Sequence, residues 1–218
     1  MTRSPNWQHV YDVLEADILS GHRLPGARLV EDAVMAQAAS TRHAVRRAFA
    51  ALERDGLSIL EPRKGMRVFN PQPDALSEIV EIRLCLERQA IARLPFPVSA
   101  GKLATLRQIA GRHRAASRDL DPVAAFRLDM LFHETLYRAA GSRQLVDAIL
   151  RYARPGHAVH RAAFKDSGLR EAEAAQHDAM INAIAVEDRD ALRQLVDEHL
   201  HRPLSFFRDA SRRGGKPV

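Results

Sequence analysis

A single cysteine, Cys85, is all the thiol available to this chain of 218 residues. An intrachain disulfide is therefore excluded, and so is a thiolate-rich metal site. No apolar run approaches the roughly 18 residues that span a bilayer. The opening stretch "MTRSPNWQHVYDVL" carries neither the apolar core nor the small-residue cleavage site of a signal peptide. A cytoplasmic protein without a membrane partner is the expectation. Internal repeats and low-complexity tracts are missing too, and strand signal is scarce beyond residue 74.

Apolar residues make up 46% of the chain, enough for a sizeable core. The net charge of +6 favours an anionic partner, and the basic residues are unevenly placed. Residues 41–67 hold seven Arg or Lys against three acids. Histidine is plentiful, at ten residues.

Two segments differ in character. Residues 7–69 are short elements punctuated by turns; residues 74–208 read as long amphipathic helices. Between them "NPQPD" (70–74) is a Pro-rich polar break with the look of a linker. The expected domains are 1–72 and 73–218, and the tail "SRRGGKPV" is expected to fray.

In the first segment "WQHVYDVLEADILSG" places Val10, Leu14 and Ile18 at helical spacing and stops at Gly21. "RLPGARL" is a turn and "VEDAVMAQA" a second short helix. "TRHAVRRAFAALERDG" is a third, with Thr41 at its N-cap and Gly56 as its stop. Val45, Ala48, Phe49 and Leu52 share one face of it; His43, Arg46, Arg47 and Arg54 lie on or toward the other. "LSILEPRKGMRVF" reads as two short strands around a basic turn. Helix, helix, turn, helix, hairpin is the order of a winged helix-turn-helix. An Arg-rich helix face taken alone is more often just solvated. In that order, with Arg63, Lys64 and Gly65 at a hairpin tip, it suits a DNA major groove and its phosphates.

Residues 24–69 resemble the N-terminal domain of GntR-family bacterial transcription regulators. The resemblance rests on Pro25-Gly26, Leu29, Thr41-Arg42, Val45-Arg46, Ala48, Leu52, Gly56-Leu57 and Arg63 to Gly65. It implies DNA contacts by Thr41, Arg42, Arg46 and the wing; His43 and Arg47 join them from their place on the same face. Two positions depart from the family: Arg47 stands where an acid is usual, and Phe49 where Leu is usual. The first adds positive charge on the DNA side.

The second segment reads as a bundle of six or seven helices. Asp74 and Ser99 are expected N-caps, and Asp121-Pro122 supplies an N-cap and an N1 proline for a helix that Gly141 ends. "EDRD" (187–190) separates the last two helices, while "RLPFPVSAG" (93–101) and "RPGH" (154–157) interrupt helical runs.

At 100° per residue, Asp129 and His133 share a face with Ala125, Phe126, Phe132, Leu136 and Ala140. Arg127, Glu134 and Arg138 take the opposite side. The acid and the histidine thus point at the core. His177 is flanked by Ala174, Met180, Ile181 and Ile184, and His199 by Leu192, Leu195, Val196 and Phe206, while His201 points away. If their helices form an antiparallel hairpin turning near Asp188, each histidine lies about 16 Å from the turn, level with the other. One inward histidine is usually a satisfied core residue. An inward acid with three inward histidines leaves two readings open: mutual buried contacts, or a shared divalent cation. Zinc suits such a donor set, and nickel, manganese or iron also fit.

Residues 74–208 resemble the ligand-binding domain, called FCD, of the FadR-type branch of the same family. Its metal-binding members carry Asp-x-x-x-His on one helix and single histidines on the last two, and Asp129, His133, His177 and His199 match each position. Arg83 is a further inward charge, with Glu87 one turn on. It reads as a buried ion pair, or as an anchor for an effector carboxylate, which the family's E-x-R-x-x-L-E stretch (Glu81 to Glu87) makes reasonable.

The fold expected is mainly α: a winged helix-turn-helix with a small β-hairpin, then an all-α bundle for effector binding and dimerisation. The function expected is a homodimeric DNA-binding regulator, a repressor by the family's habit, controlled by a small organic acid bound beside a divalent metal ion. Sensing of the metal itself is the second reading. A metal-dependent enzyme is the third; it is disfavoured because no inward general base is evident apart from Glu87, and the expected answer is no enzyme.

Overall fold

The computed structural model describes residues 6–70, 72–156 and 164–212. Pro71 of the linker, His157 of the RPGH break and residues 213–218 of the tail lie outside the described residues. Between residues 71 and 72 the chain divides into two compact units.

The first unit begins with α1 (Trp7–Ser20), whose first turn is capped by Asn6 accepting from the His9 amide at 3.1 Å. Gly21 stops the helix in the left-handed region, at φ 85, which costs glycine little. After α2 (Glu31–Gln37) comes α3 (Arg42–Arg54), capped by the Thr41 hydroxyl. Val45, Ala48, Phe49 and Leu52 turn inward against the Val10, Leu14 and Ile18 stripe of α1. The Tyr11 hydroxyl ties α1 to the end of α3 by donating to Asp55 Oδ2 at 2.9 Å.

Strands β1 (Ser58–Glu61) and β2 (Gly65–Val68) form the antiparallel hairpin, Ser58 opposite Val68 and Glu61 opposite Gly65. The segment expected to be only a turn does more. After the Pro25-Gly26 bend, Arg28 bridges Arg67, Leu29 N donates to Met66 O, and Val68 N donates to Ala27 O, both at 2.9 Å. Residues 27–29 thereby cover the free edge of β2, whose backbone groups would otherwise stand unpaired. Three residues with a single bridge carry no periodicity, so the sequence did not reveal them.

The second unit contains α4 (Pro73–Ala92), α5 (Ala100–Arg118), α6 (Pro122–Arg138) and α7 (Arg143–Ala153). A 3-10 turn (Arg154–Gly156) follows, then α8 (Ser167–Ala185) and α9 (Arg189–Arg212). These six α-helices are the count among the described residues. Asp74 is not the N-cap of α4: Gln72 is, because Pro73 is pre-set for the first helical position and draws the start forward. Asp74 falls in the first turn instead, where its charge still suits the helix dipole. Asp121 does cap α6, accepting from the amides of Val123 and Ala124 at 3.1 and 2.9 Å. Between α8 and α9 Glu187 turns the chain at φ 61, and Asp188 Oδ1 accepts from Ala191 N at 2.9 Å.

Helix α6 packs on α5 and α7, α8 on α5 and α9, and α4 on α7 and α9. Phe132, Leu136, Tyr137, Ile149, Met180 and Leu192 are almost fully enclosed between them. Arg189 closes the end of α4, donating to Ala92 O at 3.0 Å and to Ile91 O. No described helix is long and apolar enough to cross a membrane.

The single tryptophan, Trp7, opens α1 and so reports on the first unit. Leu14→Ala removes a fully buried side chain there and is expected to cost roughly 2–5 kcal/mol. The check is a lower urea midpoint in Trp7 fluorescence, with an unchanged slope.

Candidate metal centre and nucleic-acid face

Three helices of the second unit aim donors at one point. Asp129 and His133 are one turn apart on α6, His177 is in the middle of α8, and His199 is on α9. Asp129 Oδ1 lies 3.2 Å from His177 Nε2, 3.6 Å from His133 Nε2 and 3.7 Å from His199 Nε2. His133 Nε2 and His199 Nε2 are 2.9 Å apart. One donor atom from each of the four lies within 4.8 Å of every other.

The surroundings orient these rings. Gln176 Oε1 is 3.2 Å from His199 Nδ1, an acceptor that puts the proton on Nδ1 and leaves the Nε2 lone pair facing inward. The Tyr137 hydroxyl donates to Glu87 Oε2, so its oxygen is left to accept from His133 Nδ1–H at 3.4 Å. His133 Nε2 then also faces the centre as a lone pair. Two such lone pairs 2.9 Å apart repel unless a proton or a cation sits between them. Burial opposes the proton: it holds the His199 pKa well below the ordinary 6.5, with the charge of His133 adding to it, and it lowers that of His177 as well. Burial works against the Asp129 carboxylate, but His133 and His177 beside it keep its pKa well below 3.8.

Both His177 ring nitrogens are buried without a hydrogen bond, the 3.2 Å approach to Asp129 being misaligned for one. Donors at about 2.1 Å from one ion stand roughly 3.0–3.5 Å apart. Three imidazoles and a carboxylate at these separations, with His177 left without a hydrogen bond, fit a divalent cation better than they fit one another.

Among the described residues, the other polar groups near the centre lie on the same helices and on α4 and α5. Arg83 Nε donates to Glu87 Oε1 at 2.8 Å, so Glu87 is held from both sides and is not available as a base. Arg83 nevertheless lines a cavity of ≈ 80 Å³ with Asp129, His133, His199 and Glu173. Burial, followed by the charge of Asp129, pushes the Glu173 carboxyl up to about 8. His113 of α5 lies 4.9 Å from His177 between ring centroids, and Phe132 stacks on His177 at 4.1 Å. Tyr137, Gln176, Glu173 and His113 were not singled out from sequence. Each stands on a buried helix face, and a search for polar residues at core positions finds them only once the helices are placed.

In the first unit Thr41, Arg42, His43 and Arg46 are exposed along the start of α3. Glu31 of α2 holds two of the arginines, Arg46 Nε at 2.8 Å and Arg42 Nη1 at 3.2 Å, and Asp32 takes Arg42 Nη2 at 2.6 Å. The guanidinium of Arg47 instead lies 4.6 Å over the ring of Trp7, which draws it toward α1. Arg63 and Lys64 stand exposed at the hairpin tip, Lys64 beside Glu61 at 3.3 Å. Arg63 at φ 65 and Gly65 at φ 83 make the tight bend between the strands, and a side chain at Gly65 would be strained by that φ.

A winged helix-turn-helix joined in one chain to a helical bundle with a polar centre defines a DNA-binding transcription regulator with a separate helical domain. Residues 6–68 match the family described as bacterial regulatory proteins, gntR family, and residues 78–202 match the FCD domain. The chain belongs to the GntR family and carries an FCD domain. It is 23% identical over 199 residues to the HTH-type transcriptional regulator YdhC of Bacillus subtilis, covering 91% of this chain and 89% of that one. Over 119 residues it is 34% identical to an HTH-type regulator of Agrobacterium vitis, covering 53% of this chain and 70% of that one. Among solved structures it resembles E. coli McbR/YncC, with TM-score 0.76, 19% identity and coverage of 95% and 99%. It also resembles a GntR regulator from Rhodococcus sp. RHA1, with TM-score 0.72, 22% identity and coverage of 94% and 98%. At these identities the structural likenesses speak for the fold alone.

Tyr137→Phe removes the acceptor at His133 Nδ1 while keeping the ring that fills the core. Metal affinity, measured by competition with a chromophoric chelator, is expected to fall about 10- to 100-fold. Helix content by circular dichroism should not change.

Proposed function

We propose that this regulator binds a two-fold related operator as a homodimer and that a small carboxylate, bound beside a divalent cation in the second unit, sets its operator affinity by relieving repression. One observation carries the reading: three inward imidazoles and a half-buried carboxylate converge at the wall of a cavity that Arg83 also lines. Asp129, His133, His177 and His199 would hold the cation, with zinc first among the ions that suit them. Bound there, a divalent ion supplies a positive pole whose open positions a carboxylate can complete. Arg83 offers a second positive group to the same ligand, while Glu87 keeps its guanidinium in place. Coupling to DNA then requires that the ligand bind differently in the two arrangements of the dimer.

In the first unit α3 is the element for the major groove. Thr41, Arg42, His43 and Arg46 would face base edges and phosphates, with Arg47 beside them, and Arg63, Lys64 and Gly65 would bring the wing to the backbone. The acids that now hold Arg42 and Arg46 are at the surface, so exchanging them for phosphate is inexpensive.

The test uses full-length protein purified without a histidine tag and a duplex selected by it from a random pool. Elemental mass spectrometry is expected to find close to one divalent ion per chain in the wild type and a loss of it in His177→Ala. Operator affinity should respond to at least one small carboxylate in the metal-loaded wild type, and not after metal removal. If operator affinity ignored both metal removal and a broad set of acids, the switch would be discarded and DNA binding alone kept. Arg46→Ala is expected to weaken the selected duplex by roughly 1–3 kcal/mol, read by fluorescence anisotropy at fixed salt.

A further inference from the structure

Among the described residues of the second unit, Glu173 is the one inward acid that the site described so far does not use. It lies on α8 one turn before His177 and so faces the same interior. Only 6% of it is exposed, and it lines the cavity together with Arg83, Asp129, His133 and His199. The other two inward carboxylates there are held: Glu87 by Arg83 and Tyr137, and Asp129 by the histidines. Glu173 receives no hydrogen bond or ion pair among the described residues, and Arg202 acts on it only through space. It is also not one of the four converging donors, so it is not a further ligand of the candidate cation. Its carboxyl is not sealed in the core but opens to the cavity, where water or a donor group of a ligand can bond it.

We propose that Glu173 selects the effector: the preferred ligand bears, at the end away from its carboxylate, a hydroxyl or ammonium group that donates to Glu173, and a second carboxylate at that end is rejected. The inference rests on the reading of the cavity as a carboxylate site. Its two poles follow from charge. Arg83 and the candidate cation attract the carboxylate end; Glu173, whose carboxyl stays neutral below about 8 on its own, becomes the acceptor once a divalent ion or a ligand ammonium beside it favours its ionised form. A cavity of ≈ 80 Å³ has room for roughly half a dozen water-sized groups, which points to a short acid.

Four acids of equal chain length separate the possibilities: propionate, 3-hydroxypropionate, β-alanine and malonate. Each is titrated by calorimetry into metal-loaded, full-length wild type, Glu173→Ala and Glu173→Gln, with metal content checked for all three. In the wild type, 3-hydroxypropionate or β-alanine is expected to bind about tenfold or more tightly than propionate, and malonate more weakly than propionate. In Glu173→Ala the preference should shrink to within about twofold at unchanged metal content, which direct chelation by the hydroxyl or amine would not do. Glu173→Gln, close in shape, should accept malonate better than the wild type does. Propionate or malonate binding the wild type as well as the donor-bearing acids would overturn the inference, and so would a preference that survives in a metal-loaded Glu173→Ala. If none of the four bound the wild type, the carboxylate-site reading would fall and this inference with it; binding without the ranking removes the inference alone.

Discussion

Burying a carboxylate and three imidazoles in an otherwise apolar bundle is the constraint around which the second unit is arranged. Asp129 leaves water for a site where burial also resists the protonation of its neighbours His177 and His199. Such a charge survives only if its partners arrive from several directions at fixed distances. That requirement sets the rotation of α6, α8 and α9 about their axes and the level at which they meet. It also explains why the surrounding contacts are specific ones. Phe132 lies flat on His177, Gln176 reaches His199, and Tyr137 reaches both Glu87 and His133. These side chains hold the rings in orientations that chance packing would not select.

The two units treat charge in opposite ways. In the bundle, Arg83, Glu87, Tyr137 and His133 form a continuous chain of polar contacts from the cavity wall to the candidate cation site. Inside a low-dielectric core each link is strong and its loss leaves an unsatisfied group. On the first unit Arg42 and Arg46 meet Glu31 and Asp32 at the surface, where a pair contributes about 0–1 kcal/mol. Weak exposed pairs would suit a face that exchanges acids for phosphates, as proposed, and strong buried ones a proposed site that keeps its shape when a ligand enters.

Much of this was legible beforehand, and for identifiable reasons. Asp129, His133, His177 and His199 stood out because the helical period puts each among apolar residues, where a polar group is conspicuous. Thr41 and Asp121 were readable as caps because capping is a local hydrogen bond. Asp74 was misplaced by one helical start because Pro73 also favours that end, and the competition between two local preferences is settled by geometry. The edge strand at 27–29 was invisible because its single bridge depends on β2, some forty residues later. The stacking of Arg47 over Trp7 was invisible for the same reason, since the two residues meet only because α1 packs beside α3.

By itself the sequence determined the periodic and the local: which residues are helical, which face of each helix is apolar, where the caps and turns fall, and that four donors point inward. Helical periodicity and short-range hydrogen bonds are encoded within a few residues, so they can be read there. Only the tertiary structure decided that those four donors meet within one ion's reach, that Glu87 is already held by Arg83 and Tyr137, and that Glu173 is left facing the cavity without a partner. Those facts are distances between residues far apart in the chain, and they exist only once helix packing has fixed the rotation and height of every helix at once.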